Sequence, residues 1–124
     1  MAKSITRYLR LMPKAQTLRP AGRLWYPSAD VYQTRDGWIV KVELAGVSSD
    51  EIEITIEGPI LHLAGCRRDT YFSESVSYHQ LEITYSRFEK TIRFPCPIEG
   101  AKLETDYRDG LLILHLLSPE TCDE

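Results

Sequence analysis

Residues 50–57 read Asp-Glu-Ile-Glu-Ile-Thr-Ile-Glu, an alternation that puts Ile52, Ile54 and Ile56 on one side of an extended chain and Glu51, Glu53, Thr55 and Glu57 on the other. A helix would spread those isoleucines around its circumference, so the segment reads as a strand with one apolar and one wet face. The same period of two recurs in residues 29–33, 38–44, 60–65, 88–94, 103–107 and 111–117. Between these runs stand turn formers: Arg35-Asp36-Gly37, Gly58-Pro59, Pro95 and Asp109-Gly110. Seven short runs in ninety-odd residues leave little room for helices and predict an all-β fold, an antiparallel β-sandwich of the immunoglobulin-like kind. At 124 residues the chain suits one core with arms.

Residues 69–86 do not fit a compact sandwich, because connections longer than about 12 to 15 residues are usually functional or disordered. The segment holds an alternation of its own, Tyr78-His-Gln-Leu-Glu-Ile-Thr-Tyr85. A strand carried on a long loop is placed to pair with another subunit.

Five pieces in order carry a family likeness: Pro27 with Asp30-Val31-Tyr32, Leu44-Ala45-Gly46-Val47, Leu61-His62-Leu63-Ala64-Gly65, Tyr85-Ser86-Arg87-Phe88-Glu89-Lys90, and Gly110-Leu111-Leu112. Together they resemble the α-crystallin domain of small heat shock proteins over residues 25–117, with residues 1–24 as an arm and 118–124 as a short polar tail. The resemblance implies an ATP-independent holdase that keeps partly unfolded client proteins from aggregating. It also implies a homodimer in which residues 77–85, with Tyr78, Leu81, Ile83 and Tyr85, are exchanged onto a partner's edge near Asp30 and Tyr32. Lys90 would then stand at the dimer boundary. Larger oligomers, or co-assembly with related chains, would build on that dimer. Three departures fall at informative places, where Ala45 replaces the family proline, Ser86 its glycine and Lys90 its arginine. Lysine keeps the charge but lacks the planar fork of a guanidinium. A client groove is expected at Ile52, Ile54, Ile56, Leu103 and Leu112. The I-x-I motif that relatives dock there does not follow Leu117.

Charge is unevenly distributed. Lys3, Arg7, Arg10, Lys14, Arg19 and Arg23 precede the first acidic residue, Asp30, so the opening 29 residues carry +6. The remainder holds nine basic against 18 acidic residues, about -9, which disfavours nucleic acid as a partner. Within the arm, Leu9-Arg10-Leu11 could enter the vacant groove as an extended strand. A competing reading takes Ile5, Tyr8, Leu9 and Met12 as the apolar face of a short helix that binds clients or anionic lipid. A third reading gives the arm no fixed state.

No nucleophile, acid-base pair or phosphate loop is visible, and His62, His79 and His115 are scattered one to a strand. The chain is expected to be no enzyme and to need no cofactor. Cys66, Cys96 and Cys122 form no C-x-x-C pair, and a reducing cytoplasmic setting is expected. No apolar run approaches the roughly 20 residues of a membrane helix, so no membrane partner is expected beyond the arm. The alternative from another class is an interaction module like the CS-domain co-chaperones, or a co-assembling regulatory subunit, docking on a defined partner.

Overall fold

The computed structural model describes residues 24–71 and 75–118. The strands are β1 (Ala29–Thr34), β2 (Gly37–Glu43), β3 (Ile52–Glu57), β4 (Ile60–Cys66), β5 (Arg87–Arg93), β6 (Lys102–Arg108) and β7 (Leu111–Leu117), with one 3-10 turn, Ser49–Glu51, before β3. They form a four-stranded sheet in the order β1-β2-β7-β6 and a three-stranded sheet in the order β3-β4-β5. Every ladder is antiparallel. The all-β sandwich expected from the alternation is the fold, and each of the seven runs is one of its strands.

Turn chemistry sets the register. Asp109 and Gly110 both have positive φ, 55° and 81°, and so make the type I′ bend whose twist matches the strands it joins. That bend pairs Arg108 with Leu111 and places Leu112, Leu114 and Leu116 on one face of β7. They meet Val40 and Val42 of β2, and together with Ile52, Ile54, Ile56, Leu61, Leu63, Phe88 and Phe94 they form the core. Burying each such side chain contributes roughly 1.5 to 3 kcal/mol. Gly65 is there because nothing larger fits. A Cβ at that position would stand 2.2 Å from the Glu51 carbonyl oxygen and 2.7 Å from the Phe88 ring.

A sheet of four strands over a sheet of three leaves one strand overhanging. Ala29, Val31 and Gln33 pair with Val42, Val40 and Trp38 and share their inward face. Val31 is nevertheless 42% exposed, since no strand of the opposite sheet lies over it. The overhanging β1 is the clearest departure from a closed sandwich.

One expected strand does not form. Residues 78–85 make no ladder and lie exposed, apart from a half-buried Tyr85. Their alternation is as regular as that of β3, but a strand needs a neighbouring edge to satisfy its N–H and C=O groups. Among the described residues they join none of the sheet edges. Leu9 and Leu11, with the rest of residues 1–23, lie outside the described residues.

Candidate functional site

Two sheets have four edges, and the chain treats each differently. The edge of β5 is covered by the chain leading into β1. Trp25 N–H donates to the Arg87 carbonyl at 2.9 Å and Glu89 N–H donates to the Trp25 carbonyl at 3.1 Å, a short parallel bridge. The Trp25 ring meets Phe88 edge-on, with centroids 5.7 Å apart.

β3 and β6 are the free-edge strands at one side of their sheets, and side-chain bonds tie the chain next to β3 to β6 and the turn before it. At one end Gly58 N–H donates to Glu99 Oε2 at 2.6 Å. At the other, Tyr107 O–H donates to the Leu44 carbonyl at 2.6 Å and accepts from Val47 N–H at 3.3 Å. No ladder joins the two strands between those bonds. Leu103, Thr105 and Tyr107 are paired with Leu116, Leu114 and Leu112 and therefore point inward, yet Leu103 and Tyr107 are only half-buried and Thr105 is exposed. The gap between the edges is open along β6.

This placement corrects the expected groove. Ile52, Ile54, Ile56 and Leu112 are no more than 4% exposed and are part of the core, so they cannot be the walls of an open groove. Alternation shows which face of a strand is apolar, but not whether that face meets solvent or another sheet. Of the five residues, only Leu103 borders the opening.

The edge of β1 is bare among the described residues. Strand edges exposed to water are commonly blunted by charge. β3 carries Glu53 and Glu57, and β6 carries Lys102, Glu104, Asp106 and Arg108. β1 has only Asp30, followed by Val31, Tyr32, Gln33 and Thr34. On its outer face Lys41 Nζ lies 5.2 Å from the centre of the Tyr32 ring, and the hydrogen bond to Tyr32 holds the ammonium's pKa above its ordinary value. Among the described residues, and apart from Tyr26, the large apolar side chains that stand exposed are Val31 and Tyr32 on β1 and Tyr71, Val76, Tyr78, Leu81 and Ile83 in the long loop. Lys90 is half-buried on the inward face of β5, opposite Leu63 and between Phe88 and Ile92. Among the described residues it has no ion pair.

The neck of the loop carries residues that the sequence reading passed over. Arg67 N–H donates to the Ser86 carbonyl at 2.9 Å and closes the loop at its base. Its guanidinium donates from Nε and Nη2 to the Thr84 carbonyl at 2.9 and 2.7 Å, and from Nη1 to the Ala45 carbonyl at 3.1 Å. It also stacks 3.9 Å from the centre of the Trp25 ring. Arg68 points the other way, with Nε bonded to both Glu51 oxygens at 2.9 and 3.1 Å, and Glu51 is buried. Nothing in a single sequence marks these two arginines, whose partners lie 17 and 22 residues away. Ser86, at the family's glycine position, is buried with negative φ, so the bend into β5 is made without left-handed backbone.

Cys66 is a free thiol at the end of β4. Burial raises its pKa, against the pull of the Arg68 cation, so it is a poor nucleophile. Among the described residues no cluster of three or more His, Cys, Asp or Glu could hold a metal ion.

Comparison with known proteins agrees with this architecture. Residues 30–123 match the model of the Hsp20/alpha crystallin family. Small heat shock protein C2 of Rickettsia felis is 29% identical over 94 residues, which cover 76% of this chain and 60% of that protein. Spore protein SP21 of Stigmatella aurantiaca is 28% identical over 73% of this chain and 53% of its own length. The chain thus spans little more than half the length of these curated relatives. Heat shock protein 16.0 from Schizosaccharomyces pombe superposes with a TM-score of 0.69 at 24% identity, covering 81% of this chain and 94% of that one. HspA from Xanthomonas axonopodis gives 0.64 at 20% identity, covering 80% and 100%. At such identities the superpositions speak for the fold.

Proposed function

This chain belongs to the Hsp20/alpha crystallin family, the small heat shock proteins, and on that premise we propose that it is an ATP-independent holdase that works from a strand-exchanged dimer. The observation that carries the reading is where the exposed apolar side chains lie. Val31 and Tyr32 on one bare edge, and Tyr78, Leu81 and Ile83 on an alternating segment that belongs to no ladder, are 42% to 61% exposed. Each supplies what the other lacks. Laying residues 77–85 of one chain along β1 of another would complete a ladder and cover both apolar sets at once. Lys90, half-buried without a carboxylate among the described residues, would then have the partner chain within reach.

Client capture in this reading uses strand edges. An unfolding protein exposes extended segments with apolar alternation, and such a segment adds to an edge through its backbone while its side chains fill the adjacent gap. The opening between β3 and β6, with Leu103 and Tyr107 at its mouth, offers that geometry, as does β1 whenever the exchange is open. Leu9-Arg10-Leu11 of the arm competes for the same opening. No covalent step is involved and no nucleotide is consumed.

The test is light scattering from a heat-denatured client without ATP, run beside sedimentation of the chaperone alone. A dimer or a larger even-numbered assembly that suppresses scattering near equimolar ratio is the expected result. A monomer that leaves aggregation unchanged at twofold excess would overturn the proposal and favour a module docking on one defined partner.

A further inference from the structure

We propose that Arg67 is a coupling residue that ties the root of the N-terminal arm to the exchange loop, so that displacing Trp25 loosens the segment that joins two chains. The inference rests on the dimer proposed above and adds the internal contact that controls it.

The guanidinium touches three separate stretches of chain. It holds the returning limb of the loop at the Thr84 carbonyl, the segment after β2 at the Ala45 carbonyl, and the ring of Trp25. A lysine in its place could not do this, because a single ammonium lacks the planar fork that meets two carbonyls while lying flat on a ring. Trp25 is not part of a strand; among the described residues it is held, besides the stacking, by its backbone bridge to Arg87 and Glu89, its edge contact with Phe88 and its packing at the rim of the core. It is the last ring before the basic arm. An event that engages the arm and draws on its root, such as a client, an anionic surface or a second oligomer contact, acts on Trp25. Removing the ring takes away one face of the cation's surroundings, and water entering there weakens the donors to Thr84. Thr84 lies beside Ile83 and Tyr85, so slack at that carbonyl misaligns the alternating residues just where pairing with β1 would begin. Tyr85 adds to the same knot, its ring centre 5.8 Å from the guanidinium carbon. The Arg67 side chain thus helps set the direction in which the loop's apolar residues are presented, and its position depends on whether the arm's root is seated.

The experiment is a double-mutant cycle on the full-length chain, comparing wild type, Arg67→Gln, Trp25→Leu and the double variant. Two readouts are used, the dimer dissociation constant by sedimentation and the rate of chymotryptic cleavage in the loop at Tyr78 and Leu81. Arg67→Gln is expected to weaken the dimer about tenfold, which corresponds to about 1.4 kcal/mol, and to speed cleavage severalfold. Trp25→Leu should do the same to a smaller extent, and the double variant should be no worse than Arg67→Gln alone. Arg67→Lys should recover less than half of the loss. Fully additive effects, or a cleavage rate unchanged by Arg67→Gln, would overturn the coupling. If Leu81→Glu with Ile83→Glu leaves the wild-type dimer intact, or the wild type is a monomer, the strand-exchange reading fails instead, and the cleavage cycle still decides the role of Arg67. Should Arg67→Gln unfold, Trp25→Phe, which keeps a smaller ring, measures the same coupling from the other side.

Discussion

Removing Arg68 should hurt this protein far more than removing Arg68 and Glu51 together. Glu51 is an acid on the turn before β3 whose side chain is only 8% exposed, and Arg68, itself 27% exposed, contributes the Nε that meets both carboxylate oxygens. Breaking a fully buried ion pair by deleting one partner costs about 3 to 5 kcal/mol, because a desolvated charge is left alone. Here water can approach from the arginine side, so Arg68→Met should cost about 2 to 3 kcal/mol, a large share of the roughly 5 to 15 kcal/mol that holds a domain folded. Glu51→Leu leaves a guanidinium that can turn to solvent, and about 1 kcal/mol is expected. The double variant replaces two charges by apolar groups of similar bulk and should fall within about 1 kcal/mol of wild type. The assay is urea unfolding at one fixed chain concentration, since the stability of an associating protein depends on it. An Arg68→Met loss below about 0.5 kcal/mol, or two single losses that simply add, would refute the claim that this pair is a buried, coupled anchor.

Gly65→Ala should cost more than about 2 kcal/mol, or roughly 10 °C in Tm, because the added methyl meets a backbone oxygen and a buried ring; differential scanning calorimetry would read it. Tyr107→Phe removes the hydroxyl shared by Leu44 and Val47 and should lower unfolding stability by about 1 kcal/mol while opening the gap beside β6 to binding of alternating apolar peptides. Cys66, its thiol pKa raised by burial, should be alkylated by iodoacetamide more slowly at pH 8 in the folded chain than in urea. The proton is held more tightly in the folded state, so this group's contribution to stability is complete below the unfolded thiol's pKa and falls away as pH rises through the folded one. Peptide mass spectrometry would measure the labelling rate. Val31→Lys places a charge on the overhanging face of β1 and should weaken the dimer at least tenfold by sedimentation with little effect on the unfolding of a single chain, as Val31 lies outside the core.

What the sequence settles by itself is local. A period of two with isoleucines at 52, 54 and 56 can be satisfied only by a strand, and Asp109-Gly110 can hardly be anything but a tight bend, so strands and turns are readable from neighbours along the chain. The family likeness is equally legible, because its motifs sit on those same strands and turns. The tertiary structure decides what each strand's faces and edges meet. Ile52, Ile54 and Ile56 look as much like a groove as like a core until the second sheet is laid over them, while residues 78–85 look like a strand but join no ladder in their own chain. Glu51 reads as one more acid on a wet face, yet folding buries it against an arginine 17 residues on. Arg67 carries no pattern in the sequence, yet it gathers Trp25, Ala45 and Thr84 around one cation. Backbone periodicity follows from covalent geometry and is written in adjacent residues. Burial, edge exposure and the partners of a charge arise only when distant segments are brought together.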